Sequence, residues 1–211
     1  MPVDAATEII SLYERHARTW LNLRLRGTFY EREWLGRFAA ALPSSASILD
    51  IGCGGGHPVA SYFIGLGHSI TGIDSSATMI AISRERHSAH TWIKEDMRTL
   101  DLRQRFDGLL AWDSFFHLTA DDQRKMFSVF ARHSAPSAVL MFTSGPRYGE
   151  ALGTFEGEAL YHASLAPDEY RGLLSENGFS VQAFVPEDPG CAGRTVWLCR
   201  AKGNGPVLGG E

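Results

Sequence analysis

The chain has 211 residues, 44% of them hydrophobic and 21% charged. This is enough apolar material for one domain with a sizeable core and excludes disorder as the main state. A formal net charge of −4, without any run of Lys or Arg, argues against a nucleic-acid partner. Three cysteines (Cys53, Cys191, Cys199) lack metal-ligand spacing, and their odd count speaks against a disulfide framework.

The N-terminal residues carry Asp4 and Glu8 where a secretory signal would be apolar, and no stretch is long enough to span a bilayer. A reducing, cytoplasmic setting with no membrane partner and no metal is therefore expected. Asp4 is expected to cap a helix running to about Trp20, with Ile9, Ile10 and Tyr13 on one side. Arginines 15 to 37 alternate with Glu14, Glu31 and Glu33 and read as a mixed, solvated face. A second helical pattern, Leu35, Phe38, Ala39 and Leu42, stops at Pro43.

Beyond Pro43 strands and helices alternate. Ile48 to Ile51 reads as a buried strand that turns through Gly52-Cys53-Gly54-Gly55-Gly56 into a helix from Pro58 to Leu66. The strand from Ser69 to Ile73 runs into Asp74, a carboxylate suited to a pair of ribose hydroxyls, and a helix follows Ser76. Strands are expected at Thr91–Lys94, Phe106–Ala111 and Ala138–Phe142, with a helix capped by Thr119 between the last two. The alternation argues for a parallel sheet covered on both faces. After a helix from Pro167 to about Asn177, the strands at Ser180–Val185 and Thr195–Cys199 have only a loop between them and are expected to pair antiparallel. The glycine- and aromatic-containing connection 144–166 reads as a lid or substrate insertion, and the tail 203–211 as disordered.

From Leu35 to Arg200 the sequence resembles the class I S-adenosylmethionine-dependent methyltransferases of the small, bacterial, single-domain type. Four motifs in the right order carry the resemblance: Leu49-Asp50-Ile51-Gly52-Cys53-Gly54-Gly55-Gly56, then Asp74, then Asp96-Met97, then Trp112-Asp113-Ser114-Phe115. The resemblance implies a Rossmann-like three-layer α/β/α sandwich with a seven-stranded, mostly parallel sheet of order 3-2-1-4-5-7-6. A helical cap would occupy 1–43 and the methyltransferase domain 44–202. It also implies methyl transfer to a small organic acceptor, with S-adenosylhomocysteine as product.

The cofactor-binding residues it implies are Asp50, Gly52, Cys53, Gly54, Gly56, Asp74, Ser75, Met79, Asp96, Met97, Trp112 and Asp113. The indole of Trp112, or a ring from the N-terminal helices, would stack on the adenine or the cation. Asp74 also reads as a helix N-terminal acid, and Asp96 as a turn residue. At the acceptor end the candidates are Asp113, His117 and His162. His117 is either a general base or a support for Asp113 and the Thr119 turn; His162 is a base, a substrate contact or a plain loop residue. Trp20, Arg24 and Tyr30 lie where the family covers its cofactor. His57 is expected to order the glycine loop, and His16, His87, His90 and His133 to be surface residues. Two alternatives stay open: an NAD-dependent oxidoreductase, whose loop is usually G-x-G-x-x-G, and a non-catalytic S-adenosylmethionine-binding module.

Overall fold

The computed structural model describes residues 2–203, with side chains described from Ala5 onward. The expected tail falls almost wholly outside the described residues. Three helices open the chain: α1 (Pro2–Arg15), α2 (Ala17–Arg26) and α3 (Arg32–Ala40). The single helix expected from Asp4 to Trp20 is two, broken at His16, and Asp4 sits inside its first turn.

The alternating part follows as β1 (Ser47–Ile51), α4 (Val59–Gly65), β2 (Ser69–Asp74), α5 (Ala77–Arg86), β3 (Thr91–Lys94), β4 (Phe106–Ala111), α6 (Ala120–His133) and β5 (Ser134–Ser144). Then come β6 (Gly149–Phe155), β7 (Glu158–Ser164), α7 (Pro167–Glu176), β8 (Phe179–Asp188) and β9 (Arg194–Ala201). Seven strands form one sheet in the order β3-β2-β1-β4-β5-β9-β8. Leaving out the β6–β7 hairpin, this is the expected 3-2-1-4-5-7-6. The β5–β9 and β8–β9 pairs are antiparallel and the others parallel, because the link from β8 to β9 is too short for a crossover.

Successive residues of a strand face opposite sides. Leu49, Ile51, Leu109, Leu140 and Phe142 therefore pack against α6 and α7, while Ile48, Leu110, Val139 and Met141 pack against α3, α4 and α5. Thr119 caps α6 as expected, its hydroxyl accepting from the Asp122 amide.

The connection 144–166, expected to be a lid or substrate insertion, has a regular fold. It is a two-stranded hairpin, closed by Glu156 and Gly157 at φ +51° and +82°, the two-residue turn that twisted hairpins favour. Its base is held by buried polar groups: the Gln123 amide donates to the Ala163 carbonyl, and the Tyr170 hydroxyl accepts from Leu165 N. His133 is fully buried rather than exposed; its Nδ1 donates to Val129 O and its Nε2 accepts from Leu102 N.

Candidate active site

The carboxyl ends of parallel strands are where open α/β sheets bind ligands. A cavity of about 250 Å³ lies there, bounded by the ends of β1, β2 and β4 and roofed by α1 and α2. Asp50, Gly52, Cys53, Gly54, Asp74, Ser75, Met79, Asp96, Met97, Trp112, Asp113 and His117 all line it. Of the expected site residues, Gly56 and His162 do not. Gly56 (φ +71°) turns the chain behind the cavity against Trp92 and Ser83.

The glycine loop is fixed by backbone bonds. The amides of Gly52 and Cys53 both donate to the Ile73 carbonyl, at 2.8 and 2.9 Å. At Gly52 (φ +78°) a Cβ would sit 2.3 Å from that of Ser114, so only glycine fits between the loop and the turn after β4. At Gly54 (φ +53°) the space over the backbone is open for 4 Å, leaving room for a ligand to lie on it. Asp74 accepts from Gly54 N and Ser76 N, both at 2.9 Å, so it orders the loop and the start of α5 together. Burial nonetheless pushes its carboxyl up.

Two polar atoms of the cavity residues are buried without a partner, Asp50 Oδ2 and Trp112 Nε1. Burial first, and Asp74 second, push Asp50 up to about 7. Burial likewise pushes the Cys53 thiol well up, which keeps it protonated. Asp96 is clasped by Arg98; burial works to raise its carboxyl, but the hydrogen bonds from Arg98 outweigh it and the net direction is down.

At the opposite wall the expected residues are present but engaged. Asp113, in the left-handed region at φ +49°, takes three hydrogen bonds from Arg194, at 2.8 to 3.0 Å. That guanidinium also lies 3.9 Å over the Tyr30 ring, and Tyr30 in turn accepts from Arg24 at 2.7 Å. Asp113 is therefore an ion-paired group and not a free base. Arg24 pairs with Glu31, whose side chain is wholly buried, so this part of the arginine-rich segment is core rather than a solvated face.

His117 has both ring nitrogens occupied, by Tyr13 Oη at 2.9 Å and by the Tyr161 carbonyl at 2.8 Å. Burial lowers its pKa to about 3, so the ring is neutral. A proton from an acceptor reaches it only through Tyr13. His162, which burial also keeps low, does not reach the cavity; its ring packs 4.8 Å from that of His117. His57 lines the cavity, 3.3 Å from Ser61 Oγ, and His16 is a partner of Glu158 rather than a free surface residue.

Tyr13, Glu14 and Arg194 carry this architecture, and the pattern of the sequence did not single out their roles. Glu14 accepts from Thr78 Oγ1 (2.8 Å) and Thr78 N (3.2 Å), fastening α1 over the start of α5. The hairpin tip closes the roof: Phe155 packs on Tyr13, His16 and Trp20, and Glu158 pairs with Arg15 and His16. Nothing in the spacing around Glu14 signals this role, because its partners lie more than 60 residues along the chain.

Residues 48–137 match the family model described as a methyltransferase domain, which spans β1 through the start of β5. Over this segment, less than half of the chain, the protein is similar to methyltransferase domains. Among curated proteins, the chain is 32% identical over 100 residues to a malonyl-acyl-carrier-protein O-methyltransferase of Salmonella typhimurium, covering 47% of this chain and 39% of that one. It is 31% identical over 150 residues to an O-methyltransferase of Pyrenophora dematioidea, covering 65% and 55%. The chain thus spans less than two thirds of these relatives.

Among solved structures, a 1,6-didemethyltoxoflavin N1-methyltransferase of Burkholderia thailandensis superposes with a TM-score of 0.73 at 18% identity, over 96% of this chain and 91% of that one. An amino pentose methyltransferase of Micromonospora echinaspora does so at 0.68 and 20%, over 87% and 96%. At these identities the likeness concerns the fold. Among the described residues, no helix is long and apolar enough to cross a membrane.

Proposed function

We propose that the protein moves a methyl group from S-adenosylmethionine to a small organic acceptor. One observation carries this reading: the partnerless Asp50 Oδ2, buried at 3% exposure, opens on a cavity where Gly54 leaves its backbone bare. A buried carboxylate without a partner is unfavourable unless a cation meets it. The ammonium of a methionine end supplies one, and nothing in the loop needs to cradle a phosphate.

Asp74 is the ribose ligand in this reading, its carboxylate already oriented by two backbone amides and still holding free lone pairs. Met97 and Met79 offer apolar surface to the adenine, and the Trp112 indole offers both a π face and an unused N–H. Ser75, Cys53 and Asp96 complete the wall. When bound, the cofactor supplies a methyl group on a sulfonium, whose S–CH3 electron pair returns to sulfur as the acceptor's lone pair forms the new bond. The chain's own part is to align the reactants and exclude water beneath α1, α2 and the hairpin tip. Residues 1–43 act as the cap and 144–166 as a fixed acceptor wall.

The NAD-dependent reading is less well supported, because the antiparallel pair at the sheet edge departs from the 3-2-1-4-5-6 order of dinucleotide folds. Calorimetry with S-adenosylmethionine, S-adenosylhomocysteine and NAD separates the two. Binding of the first two alone is expected; binding of NAD alone would overturn the assignment. Release of S-adenosylhomocysteine in an acceptor screen then separates an enzyme from a silent binding module.

A further inference from the structure

Resting on the methyl-transfer reading, we infer that the acceptor is an uncharged amine on a largely apolar skeleton. Its N–H is held by the Tyr13 oxygen, and carboxylate acceptors are refused. The first argument is the direction of the hydrogen bonds. A carbonyl oxygen can only accept, so the 2.8 Å contact to Tyr161 O places the His117 proton on Nδ1. Nε2 is then a bare lone pair, and the Tyr13 hydroxyl 2.9 Å away must donate to it. Tyr13 has one proton and it is committed. Toward the cavity its oxygen only accepts, so a ligand atom meeting it must bring a hydrogen; a carboxylate would set lone pair against lone pair.

Charge gives the second argument. Around the cavity Arg24 is matched by Glu31, Arg98 by Asp96 and Asp122, and Arg194 by Asp113. The positive charge beside the acceptor is already neutralised, which leaves an anion without a counter-charge. Asp113 is equally neutralised and does not call for a cation. Ile9, Ile10, Ala6 and Trp20 make the adjoining wall apolar.

The third argument separates nitrogen from oxygen. A hydroxyl attacking a sulfonium methyl becomes an oxonium and must lose its proton at once to a base in contact. His117 behind Tyr13 is a poor base, since burial holds it at about 3, and Asp113 is tied up by Arg194. An amine attacks with a lone pair it already has. The C–N bond forms, the S–CH3 pair goes to sulfur, and the resulting ammonium gives its proton to water after release. Tyr13 is then the residue that touches the acceptor, and His117 is a positioning residue that aims its proton.

The test uses three matched ring probes, aniline, phenol and benzoate, at equal millimolar concentration with the protein saturated with S-adenosylmethionine. Cofactor affinity is measured first, by calorimetry. Aniline is expected to be methylated at least about tenfold faster than the other two, one hydrogen bond being worth roughly that factor. Tyr13→Phe should erase the preference over benzoate, keep that over phenol, and leave the cofactor Kd unchanged. His117→Ala frees the Tyr13 proton and should make benzoate a several-fold better inhibitor, an effect that loss of packing alone would not produce. Turnover of phenol or benzoate at the aniline rate, or no aniline turnover in protein that binds the cofactor, overturns the inference. Failure to bind the cofactor breaks the methyl-transfer reading beneath it instead.

Discussion

The floor of the cavity and its far wall are built differently. The floor is backbone: β1, the glycine loop and β2 are neighbours in sequence, and their amides and carbonyls bond directly to one another. The far wall is long-range: the side chains of Tyr13 and His117 and the carbonyl of Tyr161 meet across separations of 104 and 44 residues. The floor keeps a buried acid whose partner is absent, and the wall keeps a buried histidine whose partners are both present. One end is therefore poised for a cation, and the other is already neutral and closed.

The harshest way to break this contrast is Gly52→Ala. It combines a positive φ with a 2.3 Å approach to Ser114, and should lower stability by about 3–5 kcal/mol and cofactor affinity by about a hundredfold or more. Thermal denaturation and calorimetry read the two effects, and a variant with wild-type values for both would end the backbone-floor account.

The buried acid and the buried histidine predict opposite pH behaviour in the cofactor-free protein. Asp50 has a folded pKa raised to about 7, so its contribution is full at acid pH and is lost as pH rises from about 4 to about 7. His117 has a folded pKa lowered to about 3, so its contribution is full above about 6.5 and is lost as pH falls. Asp50→Asn should therefore raise the stability of the cofactor-free protein at pH 8 by roughly 2–4 kcal/mol while weakening the cofactor. His117→Gln should flatten the acid limb instead. Urea titrations across this range check both, and slopes of the same sign would erase the distinction.

Asp74→Ala should weaken the cofactor at least about tenfold by removing a charge-assisted hydrogen-bond pair. Because Asp74 also orders Gly54 and Ser76, Asp74→Asn serves as the companion variant, with a smaller loss in melting temperature expected. Unchanged affinity in both would remove the ribose role. Smallest of all is Glu158→Gln at the hairpin tip. Its pairs with Arg15 and His16 are solvent-exposed and screened, so melting temperature should not move, and a clear drop would mean that the tip clamps the roof through charge rather than through Phe155.

The sheet order and the boundaries of β3 and β4 were legible because period-two apolar runs and short links leave few topologies. The floor residues were legible because a loop that turns sharply beside an open cavity needs glycines at fixed spacing, with acids at the following strand ends. The hairpin was hidden: Gly149, Gly153 and Gly157 read as loop, although Glu156-Gly157 between two alternating runs was a turn signal. His133 read as surface because its partners, Val129 O and Leu102 N, are backbone atoms that leave no mark in composition.

By itself the sequence determined the α/β sandwich, the glycine-loop floor and the acids at the strand ends beside it. These depend on local spacing, which a chain writes directly. Only the tertiary structure decided that Arg194 neutralises Asp113, that Glu14 fastens the roof, and that His117 is turned toward Tyr13. Those choices arise from charges and hydrogen-bond directions between distant segments, and a donor's partner is fixed only once the fold has brought it within reach.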